Sequence, residues 1–215
     1  MVVTPEGVPP SATGPLVTPF PEVGPLMRLT YRELSLAAHG SEAQARALGD
    51  PKRLPRPWDP ATCDQADLRG EVWAWLDAVV EWLNREYVWD AAAMIPSCWP
   101  AHPHLVHELG VVADQRRRAG VAFTSDALED WHRYTLPGFI DRMRARLRGH
   151  CDEGHQPWPA KGRHTRHTDH AARADRAESF ARDADHAEDT AARSPRKLSV
   201  VDLDTGEVRE EQADW

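Results

Sequence analysis

Two thiols and two imidazoles recur at one spacing in this chain, Cys98-x-x-x-His102 and Cys151-x-x-x-His155. Cysteine sulfur and histidine nitrogen are soft or borderline donors, and two of each complete the tetrahedron of a structural zinc. Cys98, His102, Cys151 and His155 are therefore the candidate metal ligands. A C-x-x-x-H pair is less diagnostic than paired C-x-x-C, and Pro100 and Pro103 constrain the first loop. The competing explanation is that these are ordinary helix-end residues, cysteine as a small apolar side chain and histidine as a capping one.

Other candidate chemistry is thinner. Trp131-His132 sets an imidazole beside an indole, and a histidine can act as a general base. A base needs a nucleophile and an oxyanion partner, yet the chain has no G-x-S-x-G, P-loop, dinucleotide fingerprint or H-E-x-x-H. No catalytic residue is assigned and no enzyme is expected. A zinc-dependent hydrolase, the last of the alternatives, would need an open coordination position and a carboxylate base. His164, His167, His170 and His186 could bind metal adventitiously, but beside Arg163, Arg166 and Asp169 they read as a solvated polyampholyte.

The elements that must position the two pairs are helices. Leu68, Val72, Trp75, Leu76, Val79, Leu83 and Tyr87 recur at three- and four-residue steps, one face of a long helix. Trp75, Trp82 and Trp89, seven apart, flank that stripe. Asp67, Glu71, Asp77, Glu81 and Glu86 on the same segment argue for core packing over base stacking, which wants interleaved cations. After a break at Pro96, Pro103 suits the first turn of a second helix. Leu105, Leu109, Val112 and Ala113 give its apolar side, and Arg116, Arg117 and Arg118 complement its negative end before Gly120.

Ser125 can cap a third helix carrying Leu128, Trp131, Leu136, Phe139, Ile140, Met143 and Leu147, kinked or split by Pro137-Gly138 and ended by Gly149. One thiol–imidazole pair thus opens a helix and the other follows the end of the next. In an antiparallel pair those two ends lie side by side.

The flanks differ. Residues 1–29 carry a proline every few positions, which removes amide donors and fixes φ, so a disordered arm is expected. Over 30–63, Thr30-Tyr31-Arg32-Glu33 and Ser41-Glu42-Ala43-Gln44 are capping-box patterns for short helices, followed by a Pro-rich linker in which Trp58 docks on the core. The core domain is expected over 64–158; seven of the nine tryptophans lie between Trp58 and Trp131. Residues 159–215 read as a charged, low-complexity, mostly disordered tail. Its Ala-rich part, 161–193, has only Phe180 as a large apolar side chain and could form no more than a frayed or exposed helix. Leu198 to Val208 could close a short β-hairpin about Asp204-Thr205-Gly206. The acidic-aromatic end at Trp215 is a weak cue for a partner.

A net charge of −8 speaks against a general phosphate-coating role. A DNA-associated factor remains the alternative, through Arg116, Arg117, Arg118, Arg142, Arg144, Arg146 and Arg148. Three cysteines make no disulfide framework, no signal peptide is evident in residues 1–25 and no eighteen-residue apolar run occurs, so a cytoplasmic protein outside the membrane is expected.

Ile95 to Pro103, then Leu105 to Arg118, Trp131-His132 and Gly149 to His155, taken as a set, resemble small helical proteins of unknown function encoded on actinobacterial plasmids, phages and integrative conjugative elements. In those, a Cys-Trp-x-x-His-Pro stretch opens a helix, a Trp-His follows on the next, and a Cys…His loop ends the domain. The resemblance covers residues 65–158 and implies a mobile-element accessory protein, with no activity to carry onto any residue. The expectation is an all-α bundle of three to four helices, acting non-enzymatically on an unknown protein partner, with a structural zinc as its one candidate cofactor.

Overall fold

The computed structural model describes residues 15–193, 199–201 and 208–210, with side chains through residue 189. The chain divides into two units, Met1–Gln156 and Pro157–Trp215.

The first unit is built on α3 (Ala66–Glu86), which buries Leu68, Val72, Trp75, Leu76, Val79, Val80, Trp82 and Leu83. The helix stops before Trp89, so the expected seven-residue indole stripe ends at Trp82; Trp89 lies beyond it, fully exposed. Buried indoles need acceptors for their N–H groups. Trp82 Nε1 donates to the Thr18 carbonyl at 2.9 Å and Trp75 Nε1 to the Pro21 carbonyl at 3.1 Å. Glu86 accepts from the Thr18 amide and hydroxyl at 3.2 and 2.6 Å. Phe20 sets its edge against both indoles.

The expectation of a disordered arm over 1–29 is therefore corrected from residue 15 onward; residues 1–14 lie outside the described residues. The proline content that forbids a helix also yields an extended strap, whose carbonyls serve the buried indoles.

α1 (Pro25–His39) starts five residues before the expected Thr30. Its N-cap, Gly24, offers no side chain, and the capping group comes from α3 instead. Glu71 accepts from the Leu26 and Met27 amides at 3.2 and 2.6 Å, satisfying two orphan donors of the first turn. Thr30 then sits inside the helix and donates back to the Leu26 carbonyl. α2 (Glu42–Leu48) has the expected reciprocal capping box of Ser41 and Gln44. Short 3-10 turns at Pro51–Arg53 and Pro60–Thr62 follow. Between them Trp58 stacks on Tyr31 at 6.0 Å. Its carbonyl lies against Gly110, where a Cβ would come within 2.4 Å of the oxygen, so only glycine permits this approach.

α4 (Pro103–Gly120) packs on α3 and buries Leu105, Leu109, Val112 and Ala113. The third expected helix is α5 (Asp126–Asp130), a π-helical turn (Trp131–Thr135) and α6 (Leu136–Leu147) in continuous succession. The Leu136 amide donates five residues back to Trp131. Pro137 has no amide to donate, and the wider turn sits where the ladder would otherwise break. All-α describes the first unit, but three to four helices is too few. α1 and α2, expected as short helices of the linker, belong to the first unit, and the π turn before Pro137 splits what the periodicity presents as one segment.

In the second unit α7 (Lys161–Thr168) and α8 (His170–Arg193) are helices with largely exposed side chains. Over 161–193 the chain is thus helical with exposed side chains, the form the Ala-rich stretch allows; alanine's propensity and an exposed Arg182–Glu178 pair favour it locally. β1 (Ser199–Val201) and β2 (Val208–Glu210) pair antiparallel, Val200 opposite Arg209. The turn at Asp204-Thr205-Gly206 and the end at Trp215 lie outside the described residues. Among those described, no helix is long and apolar enough to cross a membrane.

Candidate metal centre

The site forms where the start of α4 meets the loop after α6. On the α4 side, Asn84 of α3 pins the approach through two reciprocal bonds with the backbone of Ile95, at 2.9 and 3.0 Å. Trp99 is buried, 6.0 Å from the Trp73 ring, with its Nε1 donating to Asp77 at 3.4 Å. A 3-10 turn at Trp99–Ala101 follows, and His102 becomes the N-cap of α4. Cys98 and His102 thus bracket an anchored indole, and their positions are fixed by the core.

On the other side α6 ends at Leu147, where Arg148 takes a left-handed conformation at φ 48° and Gly149 follows at φ 74°. This double reversal turns the chain back. Cys151 is thereby buried, while His155 stays exposed.

The reversal brings all four predicted ligands together. The donor atoms of Cys98, His102, Cys151 and His155 lie within 4.8 Å of one another, an arrangement that could hold a metal ion. His102 is central. Its Nε2 is 3.3 Å from the Cys98 sulfur and 3.4 Å from that of Cys151, and its ring centroid is 5.1 Å from His155. Burial, then the neighbouring Cys151, pushes the Cys98 thiol above its ordinary range. Burial, then His155 and His104, holds the His102 imidazole below its own. A cation would find the imidazole already neutral and would displace the thiol protons, because metal binding and deprotonation are linked.

His104 was not singled out in the sequence, yet it lies at the rim, 5.8 Å from the His102 ring. Its Nε2 is buried without a hydrogen-bond partner. Burial, then Arg146, lowers its pKa, with Glu108 opposing. The His104–Glu108 spacing of four on α4, the same step as the two Cys–His pairs, is the signal the sequence carries.

The arginines considered for nucleic acid are spread over both ends of the α4–α6 pair. Arg116 stands 5.3, 5.4 and 5.7 Å from the Phe20, Trp82 and Trp131 rings. Arg117 lies 3.6 Å over Tyr31 and pairs with Asp114 at 2.8 Å. Arg142 and Arg146 share Glu108, the first at 2.7 Å. Arg144 approaches Asp90 at 3.7 Å, and Arg148 donates to the Ala145 carbonyl. Arg118 is exposed. His132 donates to or accepts from the Tyr87 hydroxyl at 3.0 Å, far along α4 and α6 from the thiols. No protein-family model, curated protein or solved structure matches the chain.

Proposed function

We propose that this chain is a non-enzymatic accessory protein of a mobile genetic element, a helical domain clasped by one structural zinc that binds a protein partner. The observation that carries the reading is the convergence of two thiols and two imidazoles at one end of the α4–α6 pair, where α4 starts and α6 ends. With ordinary zinc–sulfur and zinc–nitrogen bonds, a tetrahedral site has sulfur–nitrogen edges of about 3.6 Å. The 3.3 and 3.4 Å separations at His102 need little adjustment to reach that. Four protein donors fill the tetrahedron, which supports a structural ion over a hydrolytic one.

The interaction role draws support from the surface. Trp89 and Phe123 are wholly exposed, although most other indoles of the first unit are buried. Tryptophan in particular is enriched among the residues that anchor protein contacts. The mobile-element setting and a cytoplasmic location rest on the Cys-Trp-x-x-His-Pro resemblance and the composition. The DNA-associated alternative draws less support, because Arg116 and Arg117 cover aromatic rings and Arg142 and Arg146 share one carboxylate.

The test is co-purification of the untagged protein from its own cells, beside Trp89→Ser and Phe123→Ser variants. A stoichiometric protein partner held by the wild type and lost from either variant is expected. Salt-dependent binding to DNA with no protein partner would replace this reading with the alternative.

A further inference from the structure

We propose that Cys98 and Cys151 are also an oxidation site: hydrogen peroxide joins them in a disulfide and the clasp lets go of its ion. This rests on the metal reading for its second half only. None of the three cysteines is in a disulfide, and the fold sorts them. Cys63 has no exposed surface and sits apart, its sulfur 3.8 Å from the Arg56 carbonyl. Cys98 and Cys151 instead flank the same nitrogen of His102, with their sulfurs no more than 4.8 Å apart.

A disulfide requires about 2.05 Å between sulfurs, so one side must move. Cys98 is held by the anchored Trp99 turn and by Asn84 at Ile95. Cys151 is carried by a loop between Gly149, at φ 74°, and Gly154, at φ 131°. That loop is the side able to give. Access exists as well: a cavity of about 200 Å³ between the Ala91–Ala93 turn and α6 is lined by Met94, Met143, Arg144 and Cys151. A neutral oxidant of peroxide size fits it, and His155 of the centre is itself exposed.

The chemistry balances. One thiolate attacks a peroxide oxygen; the O–O bond breaks, hydroxide leaves and takes a proton from solvent, and the sulfur becomes a sulfenic acid. The second thiolate attacks that sulfur, the S–S bond forms and the S–O bond breaks, releasing a second water after protonation. Peroxide gains two electrons and the two thiolates lose two. Only His102 and His155 then remain as donors, too few for a stable tetrahedral site.

The experiment takes the native full-length protein, counts its zinc and titrates it with hydrogen peroxide. Zinc release is followed with a chromophoric chelator and the disulfide is mapped by peptide mass. Formation of a Cys98–Cys151 bridge, a loss of about 2 Da, should track release of zinc one for one and reverse with dithiothreitol. Zinc-loaded protein that yields no such bridge, or bridges through Cys63, overturns the proposal and leaves the metal reading standing. Protein that takes up no zinc when reduced but forms the bridge with peroxide supports the oxidation site and overturns the metal reading. A Cys63→Ser variant should behave as wild type.

Discussion

The two ends of the α4–α6 pair are closed by opposite means. At one end Trp131, Trp82, Tyr87 and Phe20 pack ring against ring, Trp131 Nε1 donates to the Val112 carbonyl at 3.0 Å, and Arg116 lies among the rings. At the other end, where α4 starts and α6 ends, four polar donors converge. Apolar area holds whatever the metal supply; a cluster of thiols and imidazoles holds only when something bridges it. On the zinc reading proposed above, one end of this fold persists whatever the metal supply and the other depends on it.

The largest expected effect breaks the persistent end. Trp131→Ala should cost about 3–5 kcal/mol, the range for deleting a buried aromatic. Denaturant unfolding should show it equally with and without a chelator. Next comes the conditional end. Removing metal with a chelator, or making Cys151→Ser, should cost about 3 kcal/mol, the contribution of a ligand present at a few hundred times its dissociation constant. The two treatments should not add, since both empty one site; additive losses would mean that Cys151 stabilises by packing alone.

Smaller still is the cap on α1. Glu71→Gln weakens a charged cap on α1 and should cost about 1 kcal/mol, with faster exchange of the Leu26 and Met27 amides as the local signature. Last is pH. His102 and His104 have folded-state values below the unfolded one, mainly through burial. The unfolded chain then binds more protons, so their contribution is complete above the ordinary histidine value of about 6.5 and falls away as pH drops through it. Chelator-treated protein should unfold at lower denaturant at pH 5.5 than at about pH 7.5.

The legible features were those whose causes are local. The three- and four-residue spacing in α3 and α4, Pro103 at a first turn, the Ser41 box and the four donors all depend on residues close in sequence. What escaped depends on distant partners. Glu71 caps α1 from 45 residues away, a partner that local sequence does not reveal, so the capping-box pattern points to Thr30 as the start instead. The strap owes its order to indole N–H groups on α3, which no reading of prolines alone supplies. The π turn answers Pro137, where the sequence announced a kink but not its form. In the second unit the reverse holds: α8 needs no distant partner, and alanine-rich composition suffices for a helix with exposed side chains.

The centre itself is tested most directly by the zinc content of the untagged protein after gel filtration, measured by elemental emission beside Cys98→Ser and Cys151→Ser. One zinc per chain in the wild type, lost from both variants, is the predicted result. A wild type that carries no zinc, and that takes up none when zinc is offered to the reduced protein, would contradict the clasp.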